Sequence, residues 1–180
     1  MQPITIGRID GDATAADVRA LAELLVDAVE GGAGVSFLSL TVEEAEAWWR
    51  SLLTASSARA TVLVARDAAG IVGTVQLQPA WAPNQPHRAD IAKLLVHRRA
   101  RRRGIAHALM AAIEHAASAA GFTLLLLDTC KGYDAERLYA STGWVRVGEV
   151  PGFALNPDGT ICDTVFFYKP LGPVKPAPMA

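Results

Sequence analysis

DIAKLLVHRRARRRGIAHALM, residues 90–110, decides how this chain is read. An apolar, strand-like run over 89–97 passes through five arginines in six positions into Gly104 and a helical pattern over about 104–120. A strand that feeds a helix through a short loop presents the helix's first unpaired N–H groups, and the macrodipole adds partial positive charge there. Such a junction suits an anion, phosphate above all. Gly104 leaves the backbone bare, Ala106 keeps the next turn nearly so, and Arg101, Arg102 and Arg103 can make charge-assisted contacts to phosphate oxygens. Neither the P-loop pattern nor the dinucleotide fingerprint occurs in the chain.

The positive charge is local, because the 180 residues carry a formal net charge of only -1. No global field therefore favours nucleic acid or an anionic membrane. A hydrophobic fraction of 51% against 19% charged argues for a packed domain rather than a disordered chain. A domain of this size buries roughly 70% of its unfolded surface, enough for a core without staples. Cys130 and Cys162 are too few for a disulfide framework; reduced thiols are the expectation, with a single bridge left open. The N-terminal MQPITIGRIDGD does not read as a signal peptide, and no run approaches about 20 apolar residues. A cytoplasmic location without membrane attachment is expected.

Outward from the junction, strand and helix periods alternate. A strand over 4–9 precedes a helix over about 15–30, capped by Asp12 or Thr14, with Val18, Leu21, Leu25 and Val29 on one stripe. Thr41 with Glu44 forms a capping-box signature opening a helix to about 54. Two β-rich runs around DAAG, 60–79, read as a hairpin with a four-residue turn. After the Pro-rich loop at 79–88 and the opening stretch come a buried-strand run at 123–129, a short helix at 134–142, and strands at 144–150 and 162–169. The pattern predicts an α/β fold of the α+β type, with a mixed, central twisted sheet of about seven strands and about four helices. One domain spans 1–170, and a Pro-rich tail follows over 171–180.

Arg101-x-x-Gly104-x-Ala106 resembles the Q/R-x-x-G-x-G/A signature of the GNAT superfamily of acetyl-CoA-dependent N-acetyltransferases. The likeness extends to AERLYASTGWVRVGEV, where a Tyr precedes a Gly-aromatic turn, and covers about residues 4–170. It implies that the backbone from Arg101 to Ala106, Ile105 included, holds the pyrophosphate of coenzyme A. It also implies that Leu94, Leu95 and Val96 meet the pantetheine arm and polarise the acetyl carbonyl through a backbone N–H. A narrower likeness runs through EGGAGVSFL, HRADIAKLLVH, LLLLDT, YASTGWVRVGEVPGFALNPDGT and FYKPL, to a toxin-resistance branch of that family that acetylates a small β-lactam amino acid.

The chemistry asks for a proton acceptor, because an amine of pKa about 9 to 10 arrives as ammonium and only the neutral form attacks a thioester. Asp90 and Asp128 are the candidates; the resemblance points to both positions, with Glu expected where Asp90 stands. An Asp at a strand end equally suits capping the turn in TCKGYDAE. Tyr139 is the expected proton donor to the departing thiolate, or else a core residue of its helix. Gly32 and Phe37 in EGGAGVSF, with Trp81 and His87 in PAWAPNQPHR, are the expected acceptor-side contacts. An acetyl-cysteine route through Cys130 would need a base that no neighbouring His supplies. The histidines lack metal spacing, so no metal is expected.

The expected function is thus direct transfer of an acetyl group from acetyl-CoA to a primary amine of a small molecule, amino-acid-like, antibiotic or toxin-like. Two other readings compete: a non-catalytic acyl-CoA sensor and, on the Arg-rich loop alone, a nucleic-acid-binding protein. A small-molecule partner, no nucleic acid, no membrane, and a monomer or homodimer are expected.

Overall fold

Helix entry is where the local sequence speaks most directly. The Thr14 hydroxyl accepts from the Asp17 N–H at 3.1 Å, and the Asp17 carboxylate accepts from the Thr14 N–H at 3.3 Å. Thr41 and Glu44 repeat this reciprocal cap at 3.2 and 2.8 Å. Each box satisfies two otherwise orphaned donors and contributes about 1 kcal/mol. They open α1 (Ala15–Glu30) and α2 (Val42–Ser56) in a computed structural model that describes residues 3–56 and 60–173. The tail expected from 171 onward is described only as far as 173.

The strands are β1 (Thr5–Ile9), β2 (Thr61–Asp67), β3 (Gly70–Pro79), β4 (Arg88–Val96), β5 (Leu124–Cys130), β6 (Val145–Leu155) and β7 (Ile161–Pro170). Two further helices, α3 (Ile105–Ala119) and α4 (Asp134–Ser141), bring the total among the described residues to four. They form one seven-stranded sheet in the order β1-β2-β3-β4-β5-β7-β6, with β4–β5 the single parallel pair. In the β2–β3 hairpin Asp67 pairs with Gly70, so DAAG is a four-residue turn around two central alanines.

A core lies on each face of the sheet. On one, α3 and Tyr139 of α4 pack with Ala89, Ile91, Leu125, Leu127 and Phe167. On the other, α1 and α2 pack with Val62, Val64, Ile71 and Leu95. Leu21, Leu25 and Trp49 are fully enclosed there, and truncating such a leucine to Ala costs about 2–5 kcal/mol.

Two departures from regular pairing shape the centre. β4 and β5 pair only at Arg88↔Leu124, Ala89↔Leu125 and Asp90↔Leu126, and beyond that point they part. On its other side β4 bulges: Thr74 pairs with Leu95 and Gln76 with Ala92, which leaves one extra residue on β4. Lys93 sits in that bulge at φ +51°. The strand expected over 144–150 continues through Pro151 to Leu155, past an irregularity between Val150 and Ala154. β6 is the sheet's outer strand, where a proline removes no interior ladder bond.

Candidate active site

The split between β4 and β5 opens a V-shaped gap at the middle of the sheet. Ala89 and Ile91 face the α3 core, so Asp90 points to the α1/α2 face by the two-residue alternation of a strand. Leu125 and Leu127 likewise face α3, and Asp128 follows Leu126 onto the opposite face. The two expected proton acceptors therefore share one face and stand on opposite rims of the gap. Asp90 accepts from the Arg88 guanidinium at 2.8 Å. Burial lifts its carboxyl above the ordinary range even against that arginine. Asp128 is exposed to solvent, with neighbouring protein partly desolvating its carboxylate. That desolvation raises its pKa, which Lys93 opposes and Asp90 reinforces.

Tyr139 occupies the other face. It is 5% exposed, against Trp144 at 6.0 Å and Phe167 at 5.6 Å between ring centroids. Burial pushes its hydroxyl well above the ordinary phenol range, and the charge of Asp128 adds to this. The end of α4 is held firmly. The Trp144 indole donates to Glu114 at 2.8 Å, and Lys169 donates to the Thr142 carbonyl at 2.7 Å.

The Arg-rich loop divides its labour. Arg98 donates to Asp27 through guanidinium and backbone, and also reaches Glu30. Burial works against the Asp27 carboxylate, but these contacts outweigh it and hold its pKa below the usual range. Arg99 and Arg103 close on Asp67 at 3.2 and 3.1 Å, so both tie the loop to the β2–β3 turn. Arg101 donates to the Val96 carbonyl at 3.3 Å, and Arg102 is exposed at φ +63°. Gly104 caps α3 at φ +75°, and a β-carbon built there would meet nothing within 4 Å. Open space in front of bare helix-start N–H groups is the shape a phosphate group fits. Leu94, Leu95 and Val96 line the β4 rim where β5 has withdrawn.

The loop between α1 and α2 roofs the carboxylate face. Tyr133, at the start of α4, donates to the Gly32 carbonyl at 2.7 Å, with Asn156 Oδ1 3.1 Å from the same hydroxyl. Phe37 packs edge-on against Trp48 at 5.8 Å. An open groove of about 510 Å³ lies along this loop between Glu30, Leu40, Tyr133 and Asp158, but neither Asp90 nor Asp128 lines it. Trp81 is 87% exposed. His87 lies at the closed end of the β4–β5 pairing, its carbonyl accepting from Thr123 and Leu124. The geometry thus puts Asp90 and Asp128 on one face, with Phe37 beside Lys93 there, while Gly32 lies along the separate groove and Trp81 is exposed.

Cys130 and Cys162 are joined as a disulfide, with Cα atoms 5.9 Å apart. Cys130 in that state offers no thiolate. No group of three metal-ligating side chains occurs among the described residues, and no helix there is long and apolar enough to cross a membrane.

Lys93 is the residue that sequence reasoning passed over. It shares the carboxylate face, and its ammonium donates to the Ser36 hydroxyl at 2.9 Å. The signal was a lone charge in IAKLLV, where the apolar alternation slips by one.

Comparison with known proteins bears on the fold. Residues 58–146 match the family model described as an acetyltransferase (GNAT) domain. The fold is similar to yncA of Salmonella typhimurium, solved with its cofactor acetyl-CoA, at 19% identity and a TM-score of 0.80 over 99% of each chain. It is also similar to a GNAT superfamily phosphinothricin acetyltransferase from Sinorhizobium meliloti in complex with acetyl-CoA. There the TM-score is 0.77 at 23% identity, over 97% of this chain and 94% of that one. An N-acetyltransferase from Staphylococcus aureus Mu50 superposes with a TM-score of 0.77 at 17% identity, over 94% and 99% of the two chains.

Proposed function

We propose that this chain, whose residues 58–146 match the model of an acetyltransferase (GNAT) domain, transfers an acetyl group from acetyl-CoA directly to a primary amine of a small molecule. One observation supports this above the rest. The sheet is split beside Asp90 and Asp128 on one face, with a phenol on the other and a bare helix start at the mouth of the split. Acetyl-CoA, when bound, supplies the acetyl group as a reactive thioester. The 101–106 loop suits its pyrophosphate: a β-carbon at Gly104 would meet nothing within 4 Å at the start of α3, and Arg101 and Arg102 precede it in the loop. Leu94 to Val96 border the channel that the pantetheine arm needs.

The side chains then divide the proton traffic. Asp128 holds the acceptor's ammonium and takes its proton, directly or through water. Asp90, engaged by Arg88, orients the same ammonium and lends negative charge. Tyr139, its hydroxyl pushed up by burial, keeps its proton at neutral pH and serves as donor to the departing thiolate. Phe37 and Gly32 shape the roof over the acceptor. The finer likeness, to the tabtoxin resistance protein, supports an amino-acid-like, antibiotic or toxin-like acceptor.

The competing sensor reading keeps cofactor binding and removes turnover, so one assay separates them. Acetyl-CoA is titrated first, and thiol release is then followed with a panel of amino acids, polyamines and aminoglycosides. Saturable binding with acceptor-dependent thiol release is expected. Binding without release from any acceptor would favour the sensor, and absence of binding would sink both.

A further inference from the structure

We propose that Lys93 and Ser36 form an anion-binding subsite that reads a carboxylate on the acceptor, so that the preferred amine is an amino acid rather than a simple amine or polyamine. This rests on the acetyltransferase reading above.

Backbone geometry explains how a cation comes to be there. Ile91 faces the α3 core, and in an unbroken strand residue 93 would point the same way, into apolar packing. The bulge reverses that parity, as Leu95 on the α1/α2 side attests. Lys93 is swung onto the carboxylate face at φ +51°. Its partner Ser36 also has a positive φ, +77°. Two non-glycine residues in the left-handed region, each costing on the order of 1 kcal/mol or more, meet in one hydrogen bond of 2.9 Å. Strain concentrated at one contact beside a cleft is a mark of functional placement.

Charge accounting points the same way. Arg98, Arg99 and Arg103 each close on a carboxylate. Lys93 is half-buried, and among the described residues no carboxylate lies within ion-pair distance of its ammonium. One of its three donors goes to Ser36. Phe37 and Trp48 stand 6.0 and 5.8 Å from it, ring centroid to nitrogen, and wall it from water. Desolvation lowers its pKa, with the charge of Asp128 opposing, so an incoming anion would relieve the site. The face therefore presents Asp90 and Asp128 for an ammonium and Lys93 for a carboxylate, the complement of a zwitterion. A second ammonium on a polyamine would meet repulsion there.

The test pairs acceptors that differ only in the α-carboxylate: L-phenylalanine with 2-phenylethylamine, L-methionine with 3-(methylthio)propylamine, and L-lysine with cadaverine. Thiol release is followed with the unmodified protein, Lys93→Met and Lys93→Arg. At least one amino acid should exceed its amine about tenfold or more in kcat/KM. Lys93→Met should bring that ratio toward one, mainly through KM, and Lys93→Arg should restore part of it. Equal losses for both members of each pair would mean that Lys93 only shapes the bulge, and would overturn the proposal. Calorimetric binding of the same compounds in the presence of coenzyme A gives a readout without turnover. Carboxylate-dependent binding that weakens in Lys93→Met, with no thiol release, would uphold the subsite and count against the acetyltransferase reading. Failure of every amino acid to bind or turn over in preference to its amine would overturn the subsite.

Discussion

Arg88 grips Asp90 at 2.8 Å, while across the gap Asp128 has no arginine bound to it among the described residues. A carboxylate already closed on a guanidinium is a weaker proton acceptor than one that no guanidinium touches. Asp128 is accordingly expected to be the main base. Asp128→Asn should lower kcat about 10²–10⁴-fold. Asp90→Asn should act less severely and mainly through acceptor KM. Steady-state kinetics of both variants against one acceptor decides the order.

The pH profile follows from the direction of the Asp128 shift. Its pKa is raised, so the base is lost as pH falls through a value above the ordinary carboxylate range of about 4. The acid limb of kcat/KM should lie above that range and disappear in Asp128→Asn. A carboxylate whose folded pKa is raised is destabilising when ionised, and the effect is relieved as pH falls. Asp128→Asn should therefore raise Tm at pH 7 and leave it nearly unchanged at pH 3, as thermal melts at the two pH values would reveal.

Gly104→Asp forces a β-carbon onto a residue at φ +75° and sets a negative charge where phosphate is expected. Acetyl-CoA should bind roughly tenfold more weakly or worse, measured by calorimetry. A β-carbon there meets no neighbour, so the fold should persist by circular dichroism. Unaltered affinity would remove this loop from the cofactor site.

Tyr139→Phe keeps the ring against Trp144 and Phe167 and deletes only the hydroxyl. Stability and acetyl-CoA affinity should hold, while kcat falls about tenfold or more. An unaffected kcat would reduce Tyr139 to a packing residue.

Much of this arrangement was legible in the sequence, for physical reasons that differ by residue. Thr14 and Thr41 carry their capping partners three residues away, so the helix starts were readable locally. Asp90 and Asp128 could be singled out, but their common face depends on where β4 and β5 cease to pair. The number of arginines did not reveal their partners. Arg98, Arg99 and Arg103 find their carboxylates 71, 32 and 36 residues away, and no local pattern announces such partners. Lys93 was missed because a bulge changes which way it points, and a bulge is a property of two strands together. The roof held by Tyr133 and Gly32 joins positions 101 residues apart.

Where β4 and β5 cease to pair, the carboxylates stand on one face of the sheet and Tyr139 is buried on the other. The direct transfer proposed above requires donor and acceptor to be resident together before anything reacts. Initial-rate plots should then intersect rather than run parallel, and a single molecule joining coenzyme A to an amine through a short tether should inhibit competitively against both substrates.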